Sequence, residues 1–252
     1  MPAQLAQPQH LALHDASHAF GEVRVLDHVS VDIAPRSFVA MVGPSGCGKT
    51  TILRMLGGLE TLNEGKCSRA HGSTSFCFQE PRLLAWRTVL DNVALPLELA
   101  GEPRAARHAR ASLALALTQL NDAHARLPHE LSGGMKMRAA LARALVSQPD
   151  TLLLDEPFSA LDEVTRHELD AELRTLWERE RFTAVLVTHS IPEAVFLAER
   201  VIVFSPRPAR VVATFETPIA PRDMQFWTSD ALGTCARAVS EALLTSIAQA
   251  RR

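Results

Sequence analysis

The run Gly43-Pro44-Ser45-Gly46-Cys47-Gly48-Lys49-Thr50-Thr51 decides the fold. It follows the apolar stretch Phe38-Val39-Ala40-Met41-Val42 and leads into Ile52-Leu53-Arg54-Met55-Leu56. Strand, glycine-rich loop and helix in that order turn the pattern G-x-x-x-x-G-K-[ST] into a phosphate site. Gly43, Gly46 and Gly48 let the backbone wrap a polyphosphate, because no Cβ bars a close approach or a positive φ. The loop N–H groups, with Pro44, Ser45, Cys47 and Thr51 completing the cradle, and the positive end of the helix dipole face the anion. Lys49 is placed to reach the β- and γ-phosphates, and the Thr50 hydroxyl to ligate Mg²⁺. This stretch reads as a nucleotide site.

The rest of the composition suits such a domain. The chain has 252 residues, 47% hydrophobic and 21% charged, enough for one large domain or a core with a subdomain. A net charge of −2 provides no global field to attract DNA or an anionic membrane, so no nucleic-acid partner is expected. Cys47, Cys67, Cys77 and Cys235 show no C-x-x-C spacing, and a disulfide at Cys47 would disturb the phosphate loop. They read as free thiols of a reducing compartment. No stretch approaches the roughly 18 apolar residues of a membrane span. Residues 1–10, with Pro2 and Pro8, read as a disordered lead-in without the features of a signal peptide.

Along the chain, Leu11 to Ile33 alternates as edge strands do, most clearly in Val29-Ser30-Val31-Asp32-Ile33. The helix after the phosphate loop is expected to end at Gly57-Gly58. Residues 60–76 read as turns leading to a strand at Ser75–Phe78, followed by Gln79. From Val89 to about Val146 the chain turns helical. Leu90, Val93, Ala94 and Leu97 have the helical period, and Leu113, Leu117 and Leu120 are read as a second apolar face. Pro96 marks a kink and Pro103 a helix start. Thr151–Asp155 reads as a central strand, then a helix over 162–180, a strand over 184–187, a helix over 191–198 and a strand over 201–204. A hairpin is predicted over 209–216 and a terminal helix over 229–250.

Two further constellations carry chemistry. Leu152-Leu153-Leu154-Asp155-Glu156-Pro157 ends an apolar strand in two carboxylates. Asp155 is placed to hold Mg²⁺ through water, and Glu156 to polarise an attacking water as general base; a capped turn before Pro157 is the alternative. Leu131-Ser132-Gly133-Gly134 opens another helix, with Ser132 as N-cap and two glycines leaving the first-turn N–H groups uncovered. That is either a second anion site without a lysine or an ordinary cap.

In their order, these motifs resemble the ATP-binding cassette ATPases. The phosphate loop, Gln79, Leu131-Ser132-Gly133-Gly134, Asp155-Glu156, Ser159-Ala160-Leu161-Asp162 and His189 carry the likeness from Leu11 to about Val212. The resemblance implies an α/β fold: a P-loop NTPase core with an antiparallel β edge and an inserted helical subdomain at about 89–146. The cassette would fill 11–220, with a helical extension over 221–252. It implies ATP and Mg²⁺ as ligands, and a head-to-tail homodimer in which Ser132 and Gly134 contact the γ-phosphate bound at the other subunit's Lys49. Gln79 would touch Mg²⁺ and the attacking water, Asp162 would communicate across the dimer, and His189 would hold the γ-phosphate, Glu156 and the water. Phe20 stands where the family usually has a Tyr stacking on adenine, and the ring face is kept; a plain core Phe is the other reading.

The stretch from Gln79 to Val93, with Val187–Val195 and Ser205-Pro206-Arg207-Pro208, is similar to the ATPases of nitrate, sulfonate and taurine importers. Some relatives import pyrimidine precursors of thiamine. Met135, Met137 and Ala85 depart from the usual pattern without removing a phosphate- or metal-contacting group. The resemblance implies an integral-membrane permease partner, an indirect solute-binding protein, and a peripheral place on the cytoplasmic face of the cell membrane. Arg82, Leu84 and Trp86 are either the permease contact or subdomain core. The competing class, a soluble cassette of DNA repair or translation, usually has two cassettes or a long coiled-coil insertion, and neither is present.

Overall fold

The computed structural model describes residues 10–69 and 72–250. The predicted lead-in therefore lies, His10 excepted, outside the described residues. The chain opens with β1 (Leu11–Phe20) and β2 (Val23–Ile33), then β3 (Phe38–Val42), α1 (Lys49–Leu56), β4 (Glu64–Ser68) and β5 (Thr74–Cys77). Three helices follow, α2 (Val89–Leu99), α3 (Arg104–Leu117) and α4 (Gly133–Leu145). The α/β alternation resumes with β6 (Thr151–Asp155), α5 (Glu163–Glu180), β7 (Thr183–Val187), α6 (Ile191–Leu197) and β8 (Arg200–Phe204). The described chain closes with β9 (Val211–Glu216) and α7 (Asp230–Ala250).

The strands form two sheets, a three-stranded antiparallel one ordered β2-β1-β4 and a six-stranded one ordered β5-β6-β7-β3-β8-β9. Only β9 runs antiparallel in the larger sheet. Every residue of β3, β6 and β7 is buried, which explains why these strands read as unbroken apolar runs. Alternate side chains enter two different cores. Phe38, Ala40, Val42, Leu152 and Leu154 face the core shared with α4, α5, α6 and α7. Val39, Met41 and Leu153 face α1 and the antiparallel sheet. A third core, built on Val89, Val93, Leu97, Ala111 and Leu115, belongs to the helical insertion.

Three local readings are corrected. The predicted apolar face of α3 has the wrong phase, since Leu113 and Leu117 are 69% and 41% exposed while Ala111, Ala114 and Leu115 are buried. Alanines allow α3 to approach its neighbours closely, so Ala111 and Ala114 together with Leu115 take the inner face in place of Leu113 and Leu117. The predicted hairpin over 209–216 is a single strand, β9, whose partner is β8. Strand β4 falls in a region read as turns, because its residues are mostly polar and exposed and its partner β1 is distant in sequence. Pro96 lies inside α2, and Pro103 caps α3.

The inner face of α3 can be checked directly. Leu115→Ala should lower the stability to urea by about 2–5 kcal/mol, the usual cost of a core cavity. Leu113→Ala should stay within about 0.5 kcal/mol, as an exposed position does.

Candidate functional site

The phosphate loop leaves the carboxyl end of β3 and its last residues begin α1. Gly48 has φ +127°, and a Cβ there would meet Leu26 and Val25 of β2 at 2.9 Å. Only glycine lets the loop pass so close to the antiparallel sheet. Lys49 is buried, and its Nζ donates to the carbonyls of Gly43 at 2.8 Å and Pro44 at 2.9 Å. Cys47 is buried beneath the loop, its N–H donating to Pro44 O at 3.3 Å.

A cavity of about 550 Å³ opens over this loop. Ser45, Gly46, Gly48, Lys49, Thr50 and Thr51 form its floor. Phe20, half exposed at the end of β1, lines one side together with Val23 and Val25 of β2. The core reading of Phe20 is thereby corrected: the ring faces the cavity, braced edge-on by His18 at 4.6 Å. Gln79, Glu156 and His189 close the opposite side.

Each of these polar residues sits just past the carboxyl end of a neighbouring parallel strand: Gln79 after β5, Asp155 and Glu156 at β6, His189 after β7. Thr50 Oγ1 donates to Asp155 Oδ1 at 2.9 Å. Burial pushes the Asp155 carboxyl above its ordinary range, against the pull of the Thr50 hydrogen bond. Glu156 has φ +50°, which turns its carboxylate out over the loop. Its Oε2 accepts from Gln79 Nε2 at 3.1 Å, and its Oε1 lies 2.5 Å from His189 Nε2.

Other predicted residues are not brought to this cavity. Ser132 caps α4, accepting the Met135 N–H at 3.2 Å, and lies with Gly133 and Gly134 away from Lys49. Asp162 caps α5, accepting the Thr165 N–H at 3.0 Å. The two caps abut each other, since a Cβ on Gly134 would come within 2.6 Å of Leu161. Val23, Val25 and Arg207 line the cavity and were not read from the sequence as site residues. For Arg207 the available signal was its place just beyond an apolar strand, like the other strand-end residues.

Residues 26–159 match the family profile described as ABC transporter. The chain belongs to the ABC transporter family. The cassette is 42% identical to the taurine import ATP-binding protein TauB of Rhizobium johnstonii, over 84% of each chain. It is 46% identical to the aliphatic sulfonates import ATP-binding protein SsuB 1 of Mesorhizobium japonicum, over 80% of this chain and 77% of the relative. In three dimensions it resembles the dimeric structure of MJ0796, a bacterial ABC transporter cassette. That likeness has 30% identity and a TM-score of 0.74, and covers 82% of this chain and 98% of the other. A post-hydrolysis state of MJ0796 bound to ADP and Pi matches with a TM-score of 0.75 at the same identity. The fold expected from the ordered motifs is the one found.

Behind His189 lies a buried acidic cluster of the cassette. Thr188 Oγ1 accepts the Ser190 N–H at 3.0 Å and donates to Glu193 Oε2 on α6. Asp170 of α5 is fully buried and neither of its oxygens has a hydrogen-bond partner. Burial pushes Glu193 up to about 7, and burial with the Glu193 charge holds Asp170 well above the carboxylate range. The folded chain thus keeps a proton on Glu193 up to about pH 7, whereas the unfolded chain releases it near 4.5. Between those values the folded state binds more protons, so stability should fall as pH rises through that window, and the raised Asp170 adds to the fall. Melting temperatures from pH 5 to 8 check this, and Glu193→Gln should flatten the slope.

Proposed function

We propose that this chain is the ATP-hydrolysing subunit of an importer for small anions of the alkanesulfonate class. In this reading it works as a head-to-tail pair of cassettes beneath a membrane permease. The observation that carries the hydrolytic part is Glu156, held between Gln79 and His189 beside the Thr50–Asp155 pair at the edge of the phosphate loop. The import names of the relatives support the transport part and favour it over DNA repair or translation. Cargo is chosen by a permease and a solute-binding protein outside this chain.

The phosphate loop and Lys49 bind the polyphosphate of ATP, and Phe20 offers a ring face to adenine. The donor set fits Mg²⁺, since Thr50, Asp155 and Gln79 present only hard oxygens. No group of three or more His, Cys, Asp or Glu that could cage a metal exists among the described residues. Such a site suits an ion that completes its shell with waters and substrate phosphates. When bound, Mg²⁺ supplies neutralisation of charge on the phosphates. Glu156 orients the attacking water and takes its proton, and Gln79 and His189 keep the carboxylate aimed at it. Ser132 and Gly134 lie outside the cavity of their own chain, which suits a contact with the nucleotide of the opposite subunit, and Asp162 communicates across the dimer. Among the described residues no helix is long and apolar enough to cross a membrane. The subunit is held at the cytoplasmic face through its permease.

Glu156→Gln should keep ATP affinity near the wild-type value and lower turnover by at least about a hundredfold, the scale of a lost general base. A nucleotide-trapped dimer should accumulate, visible by light scattering. Wild-type turnover in this variant would remove Glu156 from the mechanism.

The permease contact is placed on the segment between Gln79 and α2. Trp86 is 77% exposed, and Leu84 is half-buried with its backbone N–H and C=O both held by the Asn92 side chain. Asn92 makes this segment rigid and leaves the indole outside, the form of an interface anchor. Trp86→Ala should leave the melting temperature of the isolated subunit nearly unchanged while abolishing co-purification with the permease. A melting point that falls by more than about 5 °C would mark the indole as packing instead.

A further inference from the structure

The loop after β8 reaches the nucleotide cavity from a direction that none of the motifs accounts for. β8 lies beside β3 in the parallel sheet, so its carboxyl end opens onto the same crevice as the ends of β3, β5, β6 and β7. Residues 205–210 are pinned there. Ser205 N–H donates to Arg210 O and Arg210 N–H to Ser205 Oγ, both at 2.9 Å. Ala209 is stitched to β2, its N–H donating to Val25 O at 2.8 Å and its carbonyl accepting from Asp27 N–H at 3.0 Å. Arg210 pairs with Asp27. Arg207 stands at the apex of this held loop.

From there its guanidinium grips the phosphate loop. Arg207 Nε and Nη2 both donate to the carbonyl of Gly46, at 3.0 and 2.5 Å. Arg207 also lines the cavity, where Lys49 is the other side chain with a permanent positive charge. We infer that Arg207 is a further nucleotide-affinity residue, which positions the phosphate loop through Gly46 and sets a second positive charge beside the polyphosphate. This deepens the ATP-binding reading above and rests on it.

The physical effect has two parts. The Gly46 carbonyl and the Cys47 N–H belong to one peptide unit. Two charge-assisted donors on that carbonyl polarise the unit and strengthen the Cys47 N–H bond to Pro44 O that holds the turn of the loop. Gly46 has φ +69°, a conformation from which the loop is otherwise free to move, and the grip removes that freedom before the nucleotide arrives. Because Arg207 is exposed, its charge is screened by salt, so the contribution should shrink as ionic strength rises.

The test is calorimetric titration of the full chain with MgATP at two salt concentrations, for Arg207→Ala, Arg207→Lys and the control Lys49→Ala. Arg207→Ala should weaken ATP binding roughly tenfold, the scale of one charge-assisted contact, with KM rising more than kcat falls. Its affinity should also depend less on salt than the wild type's. Arg207→Lys should recover part of the loss, keeping the charge without the fork to Gly46. The ligand-free melting temperature should move by no more than about 2–4 °C. Unchanged ATP affinity in Arg207→Ala, with affinity lost in Lys49→Ala, would overturn the role of Arg207 alone. A weakened affinity accompanied by a large ligand-free melting shift in both Arg207 variants would make Arg207 a fold-supporting residue and overturn it as well. Wild-type affinity in Lys49→Ala would instead remove ATP from this cavity, and the inference with it.

Discussion

Everything at the site depends on the register at Val187. Its position in β7 pairs with Met41 of β3 on one side and Asp155 of β6 on the other. Its carbonyl also accepts the Glu156 N–H at 2.9 Å. The start of the phosphate loop, Asp155 and the histidine two residues further on are therefore fixed relative to one another by backbone hydrogen bonds. A slip of one residue would exchange the faces of a strand. Here both faces are buried, so polarity cannot hold the register. Two differently shaped cores hold it instead, with Ala184 and Leu186 on one side of β7 and Val185 and Val187 on the other.

Register alone does not aim the Glu156 carboxylate. Glu156 leaves the strand in the left-handed region, which costs a residue with a Cβ about 1–2 kcal/mol. The surroundings over-determine that conformation. Its N–H is tied to Val187, its carbonyl accepts from Ser159 Oγ at 3.0 Å, and its side chain is shared by Gln79 and His189. The same turn separates two adjacent carboxylates. Asp155 faces inward to Thr50 and is buried, while Glu156 faces the cavity.

The sequence made legible what depends on contiguous residues. The phosphate loop could be read because strand, glycines, lysine and helix follow one another, and Asp155-Glu156 because they end a run of leucines. What failed to show depended on neighbours distant in sequence. Arg207 meets Gly46 across 161 positions, and only the strand order places β8 beside β3. Strand β4 has only Cys67 turned to the core, too little apolar pattern to announce a strand that its pairing with β1 defines. The leucine spacing of α3 points to the wrong face, because not every leucine of this helix lies inside. In an alanine-rich helix the close-packed face is marked by the alanines, and Leu113 is left in solvent.

The terminal segment shows how far the packing extends beyond the motifs. Trp227 is stacked between His167 of α5 at 3.8 Å and Phe196 of α6 at 4.2 Å. Just before it, Arg222 is buried over the Phe226 ring and donates to Val195 O, Thr217 Oγ1 and Pro218 O. Burial brings its guanidinium down to about 10, a shift that three acceptors and an aromatic face make tolerable. The two helices clamped in this way are those whose N-caps are Asp162 and Ser190, the latter next to His189. A helix moves as a rigid rod, so fixing the sides of α5 and α6 limits how far their capped ends can swing. The segment after β9 does not line the cavity, and its Phe226, Leu232 and Val239 complete the core shared with α5 and α6.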